Sequence, residues 1–141
     1  MLPLELNSSD AILMLEQNVL GAILQDPTLM DEARSYLNRD MFTHPYHRNL
    51  FRMMVILHEK RMSIDPITIV NQFKKYMPRV GGATYLMQLH GNTLGLPHFS
   101  YYVQRLVEGQ AKKKLLQLMV EYRARFENQA ELTFEELLDE F

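Results

Sequence analysis

The sequence predicts an all-α protein: a compact bundle of short helices followed by a C-terminal helical hairpin whose second arm is short. Apolar residues recur at three- and four-residue steps along most of the chain. The pairs Asp26-Pro27 and Asp65-Pro66 are typical helix starts, because Asp can cap and Pro is tolerated at the first helical position. No run alternates apolar and polar residues long enough to indicate a strand. We place the helical head in residues 1–96 and the hairpin in residues 97–141.

The first half of the chain predicts three helices. The first follows the N-cap candidates Ser8-Ser9-Asp10, and the apolar residues on one of its faces are Ile12, Leu15, Val19 and Ile23. The second begins at Asp26-Pro27 and continues through Leu37. After a break at Phe42–Pro45, a strongly apolar third helix begins.

The next two helices are separated by glycine. The helix that begins at Asp65-Pro66 is expected to carry a buried stripe as far as Pro78, and Gly81-Gly82 precedes a short helix. Across all of these helices, the residues expected to form the core are Val19, Leu20, Phe42, Phe51, Val70, Phe73, Tyr85 and Leu86.

The C-terminal part predicts a long helix from about Pro97 and a short one from Phe134. An apolar seam suited to another helix consists of Val103, Val107, Ala111, Leu115, Leu118, Tyr122 and Phe126. Gly109 interrupts this helix at a cost of about 1 kcal/mol relative to alanine and is a candidate bend. Thr133 and Glu136 have the spacing of a capping box for the last helix.

Composition excludes several classes of protein. The chain has 141 residues, of which 47% are hydrophobic and 23% charged, as expected for one soluble domain. It has no cysteine, which excludes disulfides and thiolate metal sites. A net charge of −2 argues against broad adhesion to nucleic acid. Because no apolar run reaches the roughly 18–20 residues of a membrane span and the start lacks a secretory signal, we expect a cytoplasmic location.

The sequence contains no motif for catalysis. It lacks the phosphate-binding Gly-x-x-x-x-Gly-Lys-Ser/Thr loop and the Gly-x-Ser-x-Gly nucleophile turn. His44 and His47 have a spacing that metal sites use, but Pro45 breaks the helix there and no acid lies nearby as a third ligand. We therefore expect no catalytic, cofactor-binding or metal-binding residues. His47 should cap or pack at a helix start, and His44 and His58 should be exposed or hydrogen-bonded.

The segment from Arg105 to Arg125 is basic, and the residues after it are acidic. Lys112-Lys113-Lys114 lies in the basic part, and residues 126–141 contain six acids and no base. This pattern indicates two arms that attract each other or face different partners. A single-stranded nucleic-acid-binding module that uses the basic helix is the alternative interpretation. Three adjacent helical lysines point in different directions, however, and are typical of a solvated face.

The order of the motifs resembles the N-terminal domain of replicative DnaB-type hexameric helicases. The matching elements, in chain order, are Glu16-Gln17-Asn18-Val19-Leu20-Gly21, Phe42 with His47, Leu50 with Phe51, Asp65 with Thr68, Gly81-Gly82 with Tyr85-Leu86, then Tyr102 and Leu115. The chain departs from the family pattern at Asn18, His98, Gly109 and Lys112–Lys114. These departures bear on the packing and partner specificity of the arm.

The resemblance implies a non-catalytic domain for self-assembly and partner docking. In that family the hairpins pair between subunits to form a collar, and the helicase-binding domain of primase and in some systems a helicase loader dock there. It implies a homo-oligomer, no membrane contact, weak or no direct binding to nucleic acid, and ATP and Mg only in a motor domain outside this chain. The residues that we expect at the interface are Lys113, Lys114, Leu115, Leu118, Tyr122, Arg123 and Phe126. A stand-alone mimic that competes for primase or blocks assembly is a further alternative.

Overall fold

The computed structural model describes residues 8–94, 96–128 and 134–139. In these ranges it contains helices and no strand, so the predicted all-α class is confirmed. The α-helices in the described residues are α1 (Ser8–Gln25), α2 (Met30–Tyr36), α3 (Pro45–Glu59), α4 (Pro66–Gln72), α5 (Gly82–Asn92), α6 (Phe99–Asn128) and α7 (Phe134–Asp139). Short 3-10 helices cover Pro27–Leu29, Arg39–Met41, Lys74–Val80 and Leu96–His98.

Three of the described helical segments begin with a side-chain cap followed by proline. The Asp26 carboxylate accepts from the Thr28 backbone N–H, and the Asp65 carboxylate accepts from that of Thr68. Both caps follow from the aspartate–proline pairs. The cap of α3 is His44, whose Nδ1 accepts from the Tyr46 N–H at 3.0 Å. The predicted capping threonine of α7, Thr133, lies outside the described residues.

The segment after Asp65 is shorter as an α-helix than the sequence predicted. We expected one helix from Pro66 to Pro78, but α4 ends at Gln72, and Lys74–Val80 is a 3-10 helix. The break lies at Phe73, whose φ of −124° and ψ of 35° are not helical, and Pro78 prevents a regular α-helix further on because it has no N–H to donate. The chain then turns at Gly81 with φ of 89°, a left-handed conformation that favours glycine.

One hydrophobic core is shared by all the α-helices from α1 to α5, the 3-10 helix Lys74–Val80 and the start of α6. Of the predicted core residues, five are buried: Val19, Leu20, Phe42, Phe51 and Leu86. Val70, Phe73 and Tyr85 are partly buried and pack against the edge of the same cluster. The rings of Phe42 and Phe51 pack with their centroids 5.2 Å apart.

Helices α1 and α5 approach closely at Gly21. A methyl group at this glycine would overlap the Leu89 carbonyl oxygen and the Thr93 hydroxyl, which belongs to the residue after α5. The Gln25 amide also donates to the His90 carbonyl oxygen. The absence of a side chain at position 21 therefore permits the contact that joins the first and fifth helices.

Contacts divide the chain into two compact units, residues 1–108 and residues 109–141. The first unit includes the beginning of α6, where Phe99, Val103 and Leu106 are buried in the core. The predicted apolar seam begins inside this core, where Val103 is a core residue and Val107 packs against it. The domain boundary predicted between residues 96 and 97 stays a prediction. No helix in the described parts of the chain is both long and apolar enough to cross a membrane.

Candidate interaction surface

The part of α6 that lies in the second unit exposes an unusual number of large apolar side chains. Their exposed fractions range from 47% to 68%. We define the α6 apolar surface by these residues: Leu115, Leu116, Leu118, Met119, Val120 and Phe126. No residue of α6 after Leu106 is fully buried. Apolar side chains concentrated in this way on a monomer are typical of an interaction site.

The predicted interface residues are present on this helix in two kinds of environment. Leu115, Leu118 and Phe126 are exposed and belong to the α6 apolar surface. Tyr122 is half-buried, and the guanidinium of Arg125 lies over its ring at 5.5 Å from the centroid. Arg123 is exposed and donates to the carboxylate of Glu127 at 3.1 Å.

The apolar surface is broader than the predicted seam. Leu116 and Val120 lie roughly 100° and 140° around the helix from Leu115, since each residue advances an α-helix by about 100°. These two residues were missed because a three- and four-residue pattern follows only one face, and Met119, four residues after Leu115, was also left out of the predicted seam. Lys113 and Lys114 are exposed beside this surface. Lys112 is exposed as well, so the three lysines project over a wide arc.

A second feature, a buried polar network in the head, was missed by the sequence analysis. Glu16 of α1 and His47 of α3 are fully buried, at 0% and 1% exposed. The Glu16 carboxylate accepts from His47 Nδ1 at 2.7 Å, and from the backbone N–H and the hydroxyl of Thr43, both at 2.7 Å. His47 Nε2 lies 2.6 Å from the Tyr85 hydroxyl.

Hydrogen bonds determine the direction of the Glu16 pKa shift and engage both ring nitrogens of His47. Burial raises the pKa of Glu16, but the hydrogen bonds from His47, Thr43 and His44 outweigh burial and leave the pKa below its ordinary value of 4.5. Nδ1 of His47 donates to the carboxylate, and Nε2 shares a hydrogen bond with the Tyr85 hydroxyl. Both ring nitrogens of His47 are thus engaged. The described residues contain no group of three His, Asp or Glu side chains placed to hold a metal ion.

The network has a structural role at the junction of three helices. It joins α1 to α3 through Glu16 and His47, and α3 to α5 through His47 and Tyr85. The Gln17 amide donates to the Tyr85 hydroxyl at 3.2 Å. In the sequence, the only sign of this network was an acid and a histidine near predicted core positions. That the two side chains pair becomes visible only in the folded structure.

Comparisons with known proteins agree with the fold. Residues 9–108 match the family model of the DnaB-like helicase N terminal domain. A replicative DNA helicase DnaB from Rhodothermus marinus is 27% identical over 128 residues, which are 89% of this chain and 13% of that protein. This chain thus spans a small part of the length of that relative.

Two solved structures share the architecture. The N-terminal domain of DnaB helicase from Mycobacterium tuberculosis superposes with a TM-score of 0.80 at 23% identity, covering 91% of each chain, and shows the fold alone. A DnaB-like replicative helicase, whose structure was described with its interactions with primase, gives a TM-score of 0.68 at 27% identity over 88% of this chain and 32% of that one. The matched family model covers most of the chain, and the protein belongs to the family of DnaB-like helicase N-terminal domains.

Proposed function

We propose that this chain is the non-catalytic assembly and partner-docking domain of a replicative DNA helicase. In this proposal α6 associates with a second copy of the chain, and the assembled domains bind primase and, in some systems, a helicase loader. The observation that carries the proposal is the α6 apolar surface. Family membership supports it, because the related proteins are replicative helicases and one of them was described with primase.

In this proposal, burial of apolar side chains supplies the free energy of association. Burying a leucine-sized side chain contributes about 1.5–3 kcal/mol relative to leaving it in water. The α6 apolar surface has four aliphatic side chains, one methionine and one phenylalanine, each at least 47% exposed. A helix face of this composition is stabilised when another helix covers it.

Charge on the same helix favours a defined partner orientation. Lys113 and Lys114 are exposed at the start of the α6 apolar surface, and residues 126–141 are acidic. Exposed charges at the edge of an interface contribute mainly to the rate and the orientation of association. We therefore assign steering to these lysines and affinity to the leucines and Phe126.

Sedimentation velocity of the full chain over a range of concentrations tests self-association. We expect the wild type to form dimers or larger species as concentration rises and Leu118→Asp to remain monomeric, because a charge cannot be covered without a partner. Gln117→Asp is the matched control, since it adds the same charge to the adjacent exposed position outside the α6 apolar surface. A strictly monomeric wild type, or unchanged assembly in Leu118→Asp, contradicts the proposal.

Docking is tested separately by titrating the purified helicase-binding domain of a primase from the same genome into the full chain. Calorimetry should detect saturable binding to the wild type. If no oligomeric state of the chain binds this domain, the primase part of the proposal is wrong. The self-association part is not affected by that result.

A further inference from the structure

The head contains a cationic groove, which combines apolar side chains with arginines, whereas the α6 apolar surface consists of apolar side chains alone. The groove lies between α3 and the 3-10 helix Lys74–Val80 and has a volume of about 360 Å³. Met53, Ile56 and Phe73 form its apolar lining, with Met53 7% exposed and the other two partly buried. Arg52, Tyr76 and Arg79 are exposed and line the same groove.

The cations at this groove have no carboxylate partners. Arg52 and Arg79 form no ion pair with any residue that the structure describes, and neither do Lys74 and Lys75 beside them. None of the residues that line the groove is acidic. An apolar lining beside unpaired cations fits a segment that presents apolar and acidic side chains together.

Such a segment exists in the chain itself. Helix α7 carries Glu135, Leu138 and Asp139, all exposed. They lie within an arc of roughly 100° on one helical face, since positions three and four residues apart are neighbours on a helix. This face places an exposed leucine beside two carboxylates, which complements a groove in which Met53 and Ile56 lie beside two arginines.

We propose that the cationic groove of one copy binds the acidic face of α7 from a second copy. Leu138 would pack on the apolar lining, and the carboxylates would pair with Arg52 and Arg79. Because groove and segment are different surfaces, the contact is heterologous and can repeat from copy to copy, which gives a ring when the rotation between copies closes. The inference rests on the self-association part of the proposed function.

Nucleic acid fits the groove less well than an acidic segment does. Single-strand binders offer open aromatic faces on which bases stack. Here the Arg79 guanidinium already lies over the Tyr76 ring, 5.2 Å from its centroid. The net charge of −2 also gives the chain no general attraction for phosphates.

A charge-exchange experiment tests the contact, with sedimentation velocity of the full chain at low salt as the readout. One variant reverses the groove (Arg52→Glu with Arg79→Glu), and another reverses the segment (Glu135→Lys with Asp139→Lys). We expect each to weaken self-association by about tenfold or more, because like charges then oppose each other. The chain that carries all four substitutions should recover association.

Controls separate this inference from the proposed function and from misfolding. Lys60→Glu with Arg61→Glu makes the same change in net charge at exposed sites outside the groove and should leave association unchanged. Circular dichroism verifies that each variant is folded. Association that the reversals leave unchanged but Leu118→Asp abolishes overturns this inference alone, and so does failure of the four-substitution chain to recover. A monomeric wild type overturns both.

Binding of a labelled oligothymidylate tests whether the groove binds single-stranded nucleic acid instead of α7. We expect no salt-sensitive binding that depends on Arg52 and Arg79. If the groove reversal removes such binding and leaves self-association intact, the groove binds nucleic acid and the proposal is wrong.

Discussion

Glu16 shows how a charged residue can be buried at the centre of a small helical domain. Its carboxylate is surrounded by donors from Thr43, His44 and His47, which replace the water that it loses. The donors all come from the break before α3 and from its first turn. The network thus holds the start of α3 against α1.

Removing the carboxylate should destabilise the fold strongly. We expect Glu16→Ala to lower the free energy of unfolding by about 2–4 kcal/mol, because it leaves several buried donors without an acceptor. Glu59→Ala is the matched control, since Glu59 is 58% exposed in an ion pair with Arg34. That change should cost about 0–1 kcal/mol. Urea unfolding measures both, and equal costs would show that the network contributes no more than a surface pair.

The His44 cap should make stability depend on pH. Burial, then the neighbouring His47, lower the pKa of His44 below its ordinary value of 6.5. A group with a depressed folded pKa contributes its stability above the unfolded value, and that contribution is lost as pH falls through the folded pKa. Protonated Nδ1 also cannot accept from the Tyr46 N–H.

His44→Asn keeps a capping acceptor that does not titrate. The wild type should therefore lose more stability than this variant when pH falls from about 7.5 to about 5.5. Thermal or urea unfolding across this range checks the difference between the two curves. Parallel curves would show that the cap does not sense pH.

At the level of single residues, the sequence could predict burial of apolar side chains and little about buried polar ones. Val19, Leu20 and Phe42 are buried as expected. Glu16 could not be assigned in this way, because an isolated acid is normally exposed and its partner His47 is distant in sequence. Buried polar groups depend on pairings that only the tertiary structure supplies.

At the level of the elements, the contact between α1 and α5 depends on Gly21. A side chain there meets backbone, the Leu89 carbonyl oxygen, which has little freedom to move. The two helices would have to separate, and the Gln25 bond to His90 would be lost with them. We regard this contact as the most sensitive one between helices in the head.

Gly21→Ala should therefore reduce stability by at least about 2 kcal/mol, as overpacking does. Gly109→Ala makes the same chemical change in α6, where a Cβ meets nothing within 4 Å. It should stabilise the helix by about 0.5–1 kcal/mol. Chemical denaturation of both variants measures the contrast, and two effects of the same sign would contradict the packing described for Gly21.

Helix starts were easier to predict than helix ends. Asp26 and Asp65 cap their segments because the cap depends on residues within one turn. The end of α4 and the 3-10 helix after it were predicted incorrectly, since apolar spacing alone does not distinguish the two helix types. Spacing along α6 likewise did not show that Val103 is buried in the core of the head.

At the scale of the whole molecule, the ordered set of short motifs carried the family resemblance. Each motif is weak alone, but together they match one fold. Gly81 matches a turn, Asp65 matches a cap, and the apolar positions between them match the core. The match of residues 9–108 to the family model confirms that resemblance. That a second chain covers the α6 apolar surface stays a proposal.

The most direct test of the account uses the absence of cysteine from the chain. Single cysteines placed along α6 at Leu115, Gln117, Leu118 and Glu121 can be alkylated with a maleimide at low and high protein concentration. We expect alkylation to slow with rising concentration at positions 115 and 118 and to stay constant at positions 117 and 121. Rates that are independent of concentration at all four positions would contradict a helix surface covered by a second chain.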